Sequence, residues 1–115
     1  MTVTIYHNPR CSKSRQTLQL LQEQGVEPEI ALYLESPPDA AAIRELIGKL
    51  GLAGAREMMR TKEAVYRALG LKDVDDEAAL IAAMAENPIL IERPIVVSGG
   101  AARIGRPPEA VLEIL

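Results

Sequence analysis

The stretch Val3-Thr4-Ile5-Tyr6-His7-Asn8-Pro9-Arg10-Cys11-Ser12-Lys13-Ser14-Arg15 decides how this chain folds. Its first residues alternate apolar and polar side chains with the period of a strand. Leu18, Leu20 and Leu21 follow Arg15 as the apolar positions of a helix. The order is therefore strand, tight loop, helix, with the chain's only cysteine where the helix begins. A thiol there meets unpaired main-chain N–H groups and the positive end of the helix dipole, which favour thiolate over thiol. Arg10, Lys13 and Arg15 add positive charge with no acid among them. The same place should attract an anion.

A lone cysteine also serves as a small buried apolar residue. Here Pro9 and Ser12, which are loop and cap residue types, and the flanking cations favour a nucleophile. A phosphatase-type loop is excluded, because it needs an arginine six residues after its cysteine and position 17 is threonine.

Working outward, Gly25 stands where a left-handed cap should end the first helix near Gln24, and Glu29–Tyr33 reads as a second strand. Ser36-Pro37-Pro38-Asp39 reads as the start of a helix carrying Ile43, Leu46, Ile47 and Leu50, stopped by Gly51. Short helices are expected over Ala53–Met59 and Lys62–Leu69, and another from Asp75 or Asp76 to Glu86. Pro94–Val97 and Ala101–Ile104, joined by Ser98-Gly99-Gly100, read as a hairpin. Arg106-Pro107-Pro108-Glu109 opens a last helix, with Val111, Leu112 and Leu115 expected to pack inward. The order β-α-β, helical block, β-β-α is that of an α/β, thioredoxin-like mixed sheet. It makes one domain over residues 1–115, with a helical insertion at about 36–87.

At 115 residues the chain suits one core, which must be aliphatic because Phe and Trp are absent. A net charge of −3 argues against nucleic-acid binding, which usually shows a basic surplus. No apolar run approaches a membrane span and no leader is visible, so no membrane association and a cytoplasmic location are expected. One cysteine forms no internal disulfide, and no cluster of residues at metal-ligand spacing is seen, so no metal is expected.

Arg60, Arg93 and Arg106 each stand at an element end, where a side chain can reach across a loop-lined cleft. Arg44, Arg56, Arg67 and Arg103 read as surface residues. His7 can support a thiolate or carry a proton, or simply close the strand; Ser14, one helical turn after Cys11, can bond the sulfur or cap the helix.

Several segments together carry a resemblance. They are His7–Arg15, Tyr33-Leu34-Glu35, Glu57-Met58-Met59-Arg60, Pro88–Val97 and Ile104-Gly105-Arg106-Pro107. In order and spacing they resemble the glutaredoxin-coupled arsenate reductase family, in its shorter subgroup. The resemblance implies a thioredoxin-like fold and a nucleophilic Cys11. It also implies an oxyanion site of Arg60, Arg93 and Arg106, with His7 and Ser14 tuning the cysteine. It further implies reduction of arsenate through a Cys11 thiolate–arsenate intermediate. With no second cysteine, the electrons must come from external thiols, in this family glutathione as co-substrate and then glutaredoxin as partner. A glutathione-dependent reductase of another substrate shares most of these features. A related regulator family on the same fold binds RNA polymerase and often carries Cys-x-x-Cys. Ser14 in place of a second cysteine, and all three arginines being present, favour the enzyme.

Overall fold

The computed structural model describes residues 2–115 of the chain. They form two compact units, one made of residues up to Ser36 and from Arg93 to Leu115, the other of Pro37–Glu92.

The first unit is a four-stranded mixed sheet with a helix against it. Strand β1 (Val3–Tyr6) leads to helix α1 (Ser12–Glu23) and strand β2 (Glu29–Ala31), while β3 (Ile95–Ser98) and β4 (Ala101–Ile104) form the hairpin. The order across the sheet is β2-β1-β3-β4, with β1 parallel to β2 and the other pairs antiparallel. Ile5 opposite Val96 forms the centre of its core, to which α1 contributes Leu21 and the C-terminal segment Val111. Gly25 adopts the left-handed conformation expected of it and lets the chain turn from α1 towards β2. The second strand is shorter than the sequence suggested, because a turn begins after Leu32.

The last helix differs from expectation in kind. Pro108–Ile114 is a 3₁₀ helix, not an α-helix. Its period of three turns Pro108, Val111 and Ile114 to one side, so Leu112 and Leu115, expected inside, are exposed.

The second unit contains α2 (Ala40–Leu50), α3 (Ala64–Ala68) and α4 (Glu77–Glu86), linked by 3₁₀ turns. Helix α2 packs on α4, with Ile43, Leu46, Leu80, Ile81 and Met84 buried. It begins three residues later than Pro37: Pro38 keeps the residue before it out of the helical region, and Asp39 caps the helix by accepting from the Ala42 N–H at 2.8 Å. Ala53–Met59 condenses to a 3₁₀ turn over Ala55–Met58. An antiparallel bridge joins Met59 to Ile91, with the Arg60 N–H donating to the Leu90 carbonyl at 2.7 Å. Arg56, read from sequence as a surface residue, is half-buried and structural. It donates to the Leu71 carbonyl at 3.0 Å, and also to the Tyr66 hydroxyl and the Val74 carbonyl. No helix among the described residues is long and apolar enough to cross a membrane.

Candidate functional site

Cys11 is the N-cap residue of α1, with extended backbone angles, as the loop-to-helix reading required. A turn closed by the Cys11 N–H on the Asn8 carbonyl at 3.0 Å delivers it there. The side chain is almost wholly covered. Burial pushes its pKa up. The main-chain N–H groups of Ser14 and Lys13 and the guanidinium groups of Arg93 and Arg106 outweigh that effect, and the thiol is held below its ordinary value. Among these groups, Arg106 Nη2 donates to the sulfur at 3.6 Å. At the start of α1 the Ser14 and Lys13 main-chain N–H groups act on the sulfur as hydrogen-bond donors to the thiolate, the Ser14 N–H the more strongly.

The source of positive charge is thus different from the one the sequence suggested. Arg10, Lys13 and Arg15 have exposed side chains. Arg15 donates to the Pro9 carbonyl at 2.9 Å and acts electrostatically on His7. Of the three, only Lys13 favours the thiolate, and through its backbone.

Arg93 and Arg106 converge because of the hairpin. The turn at Gly99-Gly100 sets Ile95 opposite Ile104, and the same register continued past the strand ends sets Arg93 opposite Arg106. The Gly105 N–H donates to the Pro94 carbonyl at 2.9 Å, and Arg106 Nε donates to the Arg93 carbonyl at 2.8 Å. Both arginines precede prolines in cis linkage. Arg60 lies in the second unit, where its guanidinium pairs with Glu63 at 2.6 Å. Arg103 is paired with Glu113 at 2.8 Å, in keeping with its reading as a surface residue.

Ser14 is fully buried and lies behind the cysteine loop. Its Oγ accepts from the Asn8 N–H at 3.0 Å and lies 2.6 Å from His7 Nδ1. His7 is itself buried; desolvation and the Arg15 charge lower its pKa, which keeps the ring neutral at pH 7. A neutral imidazole has one ring nitrogen able to accept, so the Ser14 hydroxyl can donate to it while accepting from Asn8. His7 and Ser14 therefore lock together the strand end, the loop and the first turn of α1. No group of three or more His, Cys, Asp or Glu residues that could hold a metal occurs among the described residues.

Taken together, the first unit offers a thiol biased towards its anion, with guanidinium groups from the hairpin acting on it. Such a site can attack an electrophilic centre and bind the oxygens around it.

Comparison with known proteins agrees in extent with this picture. The chain is 64% identical to the uncharacterized protein YfgD of Escherichia coli (strain K12), over 98% of this chain and 96% of that protein. It is 51% identical to the arsenate reductase of Haemophilus influenzae, over 100% of both. The solved arsenate reductase from Vibrio cholerae, 57% identical, superimposes with a TM-score of 0.98 over 100% of this chain and 98% of that one, and shares its thioredoxin-like fold. The model of the ArsC family matches residues 6–114, and this chain belongs to that family.

Proposed function

We propose that the protein is an oxidoreductase that reduces arsenate to arsenite, with Cys11 as nucleophile and external thiols as the source of electrons. The observation that carries this reading is the Cys11 sulfur at the start of α1 with the Arg106 guanidinium 3.6 Å away. The names of its relatives from Haemophilus influenzae and Vibrio cholerae support the substrate.

In this mechanism the Cys11 thiolate attacks arsenic, an As–S bond forms and one arsenate oxygen leaves as water. Arg93 and Arg106 hold the remaining oxygens. Arginine serves better than lysine here, because its planar fork pairs two oxygens at once and stays charged. The same groups stabilise negative charge on those oxygens as sulfur attacks. A glutathione thiol then displaces arsenic from Cys11. One arsenate and two thiols yield one arsenite, one water and one Cys11–glutathione disulfide, so arsenic gains the two electrons that the sulfurs lose. The thiolate of a glutaredoxin attacks that disulfide at the glutathione sulfur, and Cys11 leaves as a thiolate. The single cysteine forces this division of labour, since no internal thiol exists to resolve the disulfide.

The decisive assay is arsenite release from arsenate by the purified protein with glutathione and glutaredoxin. Release that depends on both thiols and disappears in Cys11→Ser is expected. Equal release by Cys11→Ser would overturn the reading.

A further inference from the structure

Most cations of the unit Pro37–Glu92 that reach a partner reach it within that unit. Lys49 pairs with Glu45, Arg60 pairs with Glu63, and Arg56 donates to the Tyr66 hydroxyl and to two main-chain carbonyls. Lys62, Arg67 and Lys72 differ. Their side chains make no hydrogen bond or ion pair among the described residues. All three line one cavity of about 610 Å³, together with Tyr66, Gly70 and Asp73. We propose that this cavity binds a phosphate monoester of a small polyhydroxylated molecule, a sugar phosphate, with the cations on the phosphate and Asp73 on the hydroxyl groups.

Three observations support that ligand class. The first is charge. Three unpaired cations against one carboxylate suit a dianion, on a chain whose net charge is −3. Arg67 can pair two phosphate oxygens at once, while Lys62 and Lys72 act as point charges. The second is the mixture of groups. The Asp73 carboxylate only accepts hydrogen bonds and repels a bare anion, so it calls for a ligand that brings donors as well as charge. Tyr66 is 6% exposed; its hydroxyl accepts from Arg56, and its own proton has no acceptor among the described residues. The third is construction. Gly70, in the left-handed conformation, turns the chain after α3, and the Asp73 N–H donates back to the Gly70 carbonyl at 3.2 Å. Arg56 holds the Leu71 and Val74 carbonyls on either side of Lys72 and Asp73. The wall that carries these two residues is therefore set before a ligand arrives. The volume lies in the ordinary range of small-molecule sites and is far larger than orthophosphate fills.

None of these residues acts on Cys11, so the cavity can be tested without arsenate. Amide proton–nitrogen correlation spectra of the full chain are recorded at low ionic strength, because exposed cations are screened by salt. Ribose 5-phosphate, ribose and inorganic phosphate are added in separate titrations.

Ribose 5-phosphate should shift the Thr61, Gly70 and Lys72 amides saturably, and ribose should not. Inorganic phosphate should need a concentration about 3- to 10-fold higher at the same amides, the effect of losing one hydrogen bond to Asp73. Arg67→Gln and Lys72→Gln, both at exposed positions, should each raise the half-saturating ribose 5-phosphate concentration about 2- to 5-fold. In Asp73→Ala the preference for the ester over inorganic phosphate should disappear, whereas a mere patch of positive potential would bind both anions more tightly and alike. No saturable shift with ribose 5-phosphate, or shifts confined to the Cys11 loop, would overturn the proposal. So would an equal response to the two anions in the parent, or a preference that survives in Asp73→Ala. The outcome of the arsenite-release assay bears on none of these readouts.

Discussion

Gly105 sits between β4 and Arg106, and its lack of a side chain is what allows that arginine to approach Cys11. A Cβ at this position would lie 2.6 Å from Thr17 Oγ1, 3.1 Å from Thr17 Cγ2 and 2.9 Å from Pro94 Cγ. Neither neighbour can yield cheaply. Thr17 is fully buried with its hydroxyl tied to the Lys13 carbonyl at 2.8 Å, and Pro94 is a rigid buried ring. In Gly105→Ala the segment must therefore move away from α1. Overpacking of this kind costs about 1–3 kcal/mol, and the reduced freedom of the unfolded chain returns about 0.4–1 kcal/mol. The net loss of about 1–2 kcal/mol should lower the melting temperature by about 4–10 °C in a chain of this length. The same displacement draws the Arg106 guanidinium from the sulfur, so the thiol pKa should rise. Thermal melting by circular dichroism reads the first effect, and alkylation rate against pH reads the second. Adding Thr17→Ala, which removes both threonine atoms from the clash, should make the pair less destabilised than the two single losses added together. Strict additivity, or a Gly105→Ala protein with unchanged melting and an unchanged thiol, would refute the reasoning.

The remaining expectations follow from the same neighbourhood. Arg106→Lys should raise the Cys11 pKa, because one ammonium cannot serve both the sulfur and the Arg93 carbonyl. Joint replacement of Arg10, Lys13 and Arg15 by Gln should move it less, and alkylation profiles that reverse this order would put the charge back on the loop. Ser14→Ala leaves the Asn8 N–H and His7 Nδ1 without their shared buried partner, so a loss of about 1–3 kcal/mol in denaturant unfolding is expected. His7 has a folded pKa below its ordinary 6.5, so the unfolded chain binds the extra proton first. Its contribution to stability is complete above about pH 6.5 and is lost as pH falls through that value towards the folded pKa. Melting temperatures at successive pH values should therefore decline more steeply below 6.5 for the parent than for His7→Gln, and parallel curves would contradict the assignment.

Much of the sheet unit was legible in the sequence because its signals are local. Alternation over β1, the Gly25 cap and the double-glycine turn each fix backbone geometry within a few residues. The misses are places where a second local force competes. At Ser36-Pro37-Pro38-Asp39 all the ingredients of a helix start are present, but the second proline bars the first from the helix and passes the cap to Asp39. At the C-terminus a 3₁₀ path replaces the α-helix, so Val111 is buried as expected but Pro108 and Ile114 turn inward in place of Leu112 and Leu115. Arg56 illustrates a limit of another kind. Its partners at Leu71 and Val74 are main-chain carbonyls, which leave no trace in side-chain pattern.

The site shows the same division between local and distant causes. The position of Cys11 at the start of α1 follows from adjacent residues, whereas the charge that acts on it comes from about ninety residues along the chain. Counting cations near the cysteine in sequence misleads, because Lys13 and Arg15 are on exposed positions of α1 while its covered positions carry Ser14, Thr17 and Leu21. Register supplies what proximity in sequence does not. A two-residue hairpin loop leaves no freedom in pairing, so once Gly99-Gly100 is recognised as the turn, Arg93 and Arg106 must face each other beyond the strand ends. The neighbouring strand β1 pairs with β3 and ends at Tyr6, directly before the loop that carries Cys11. The thiol and the two guanidinium groups are therefore joined through three strands of one sheet, and the close approach at Gly105 sets their final separation. In this arrangement the lowered pKa of the thiol is a property of sheet register, and a variant that shifts the hairpin should raise that pKa while every residue of the cysteine loop is intact.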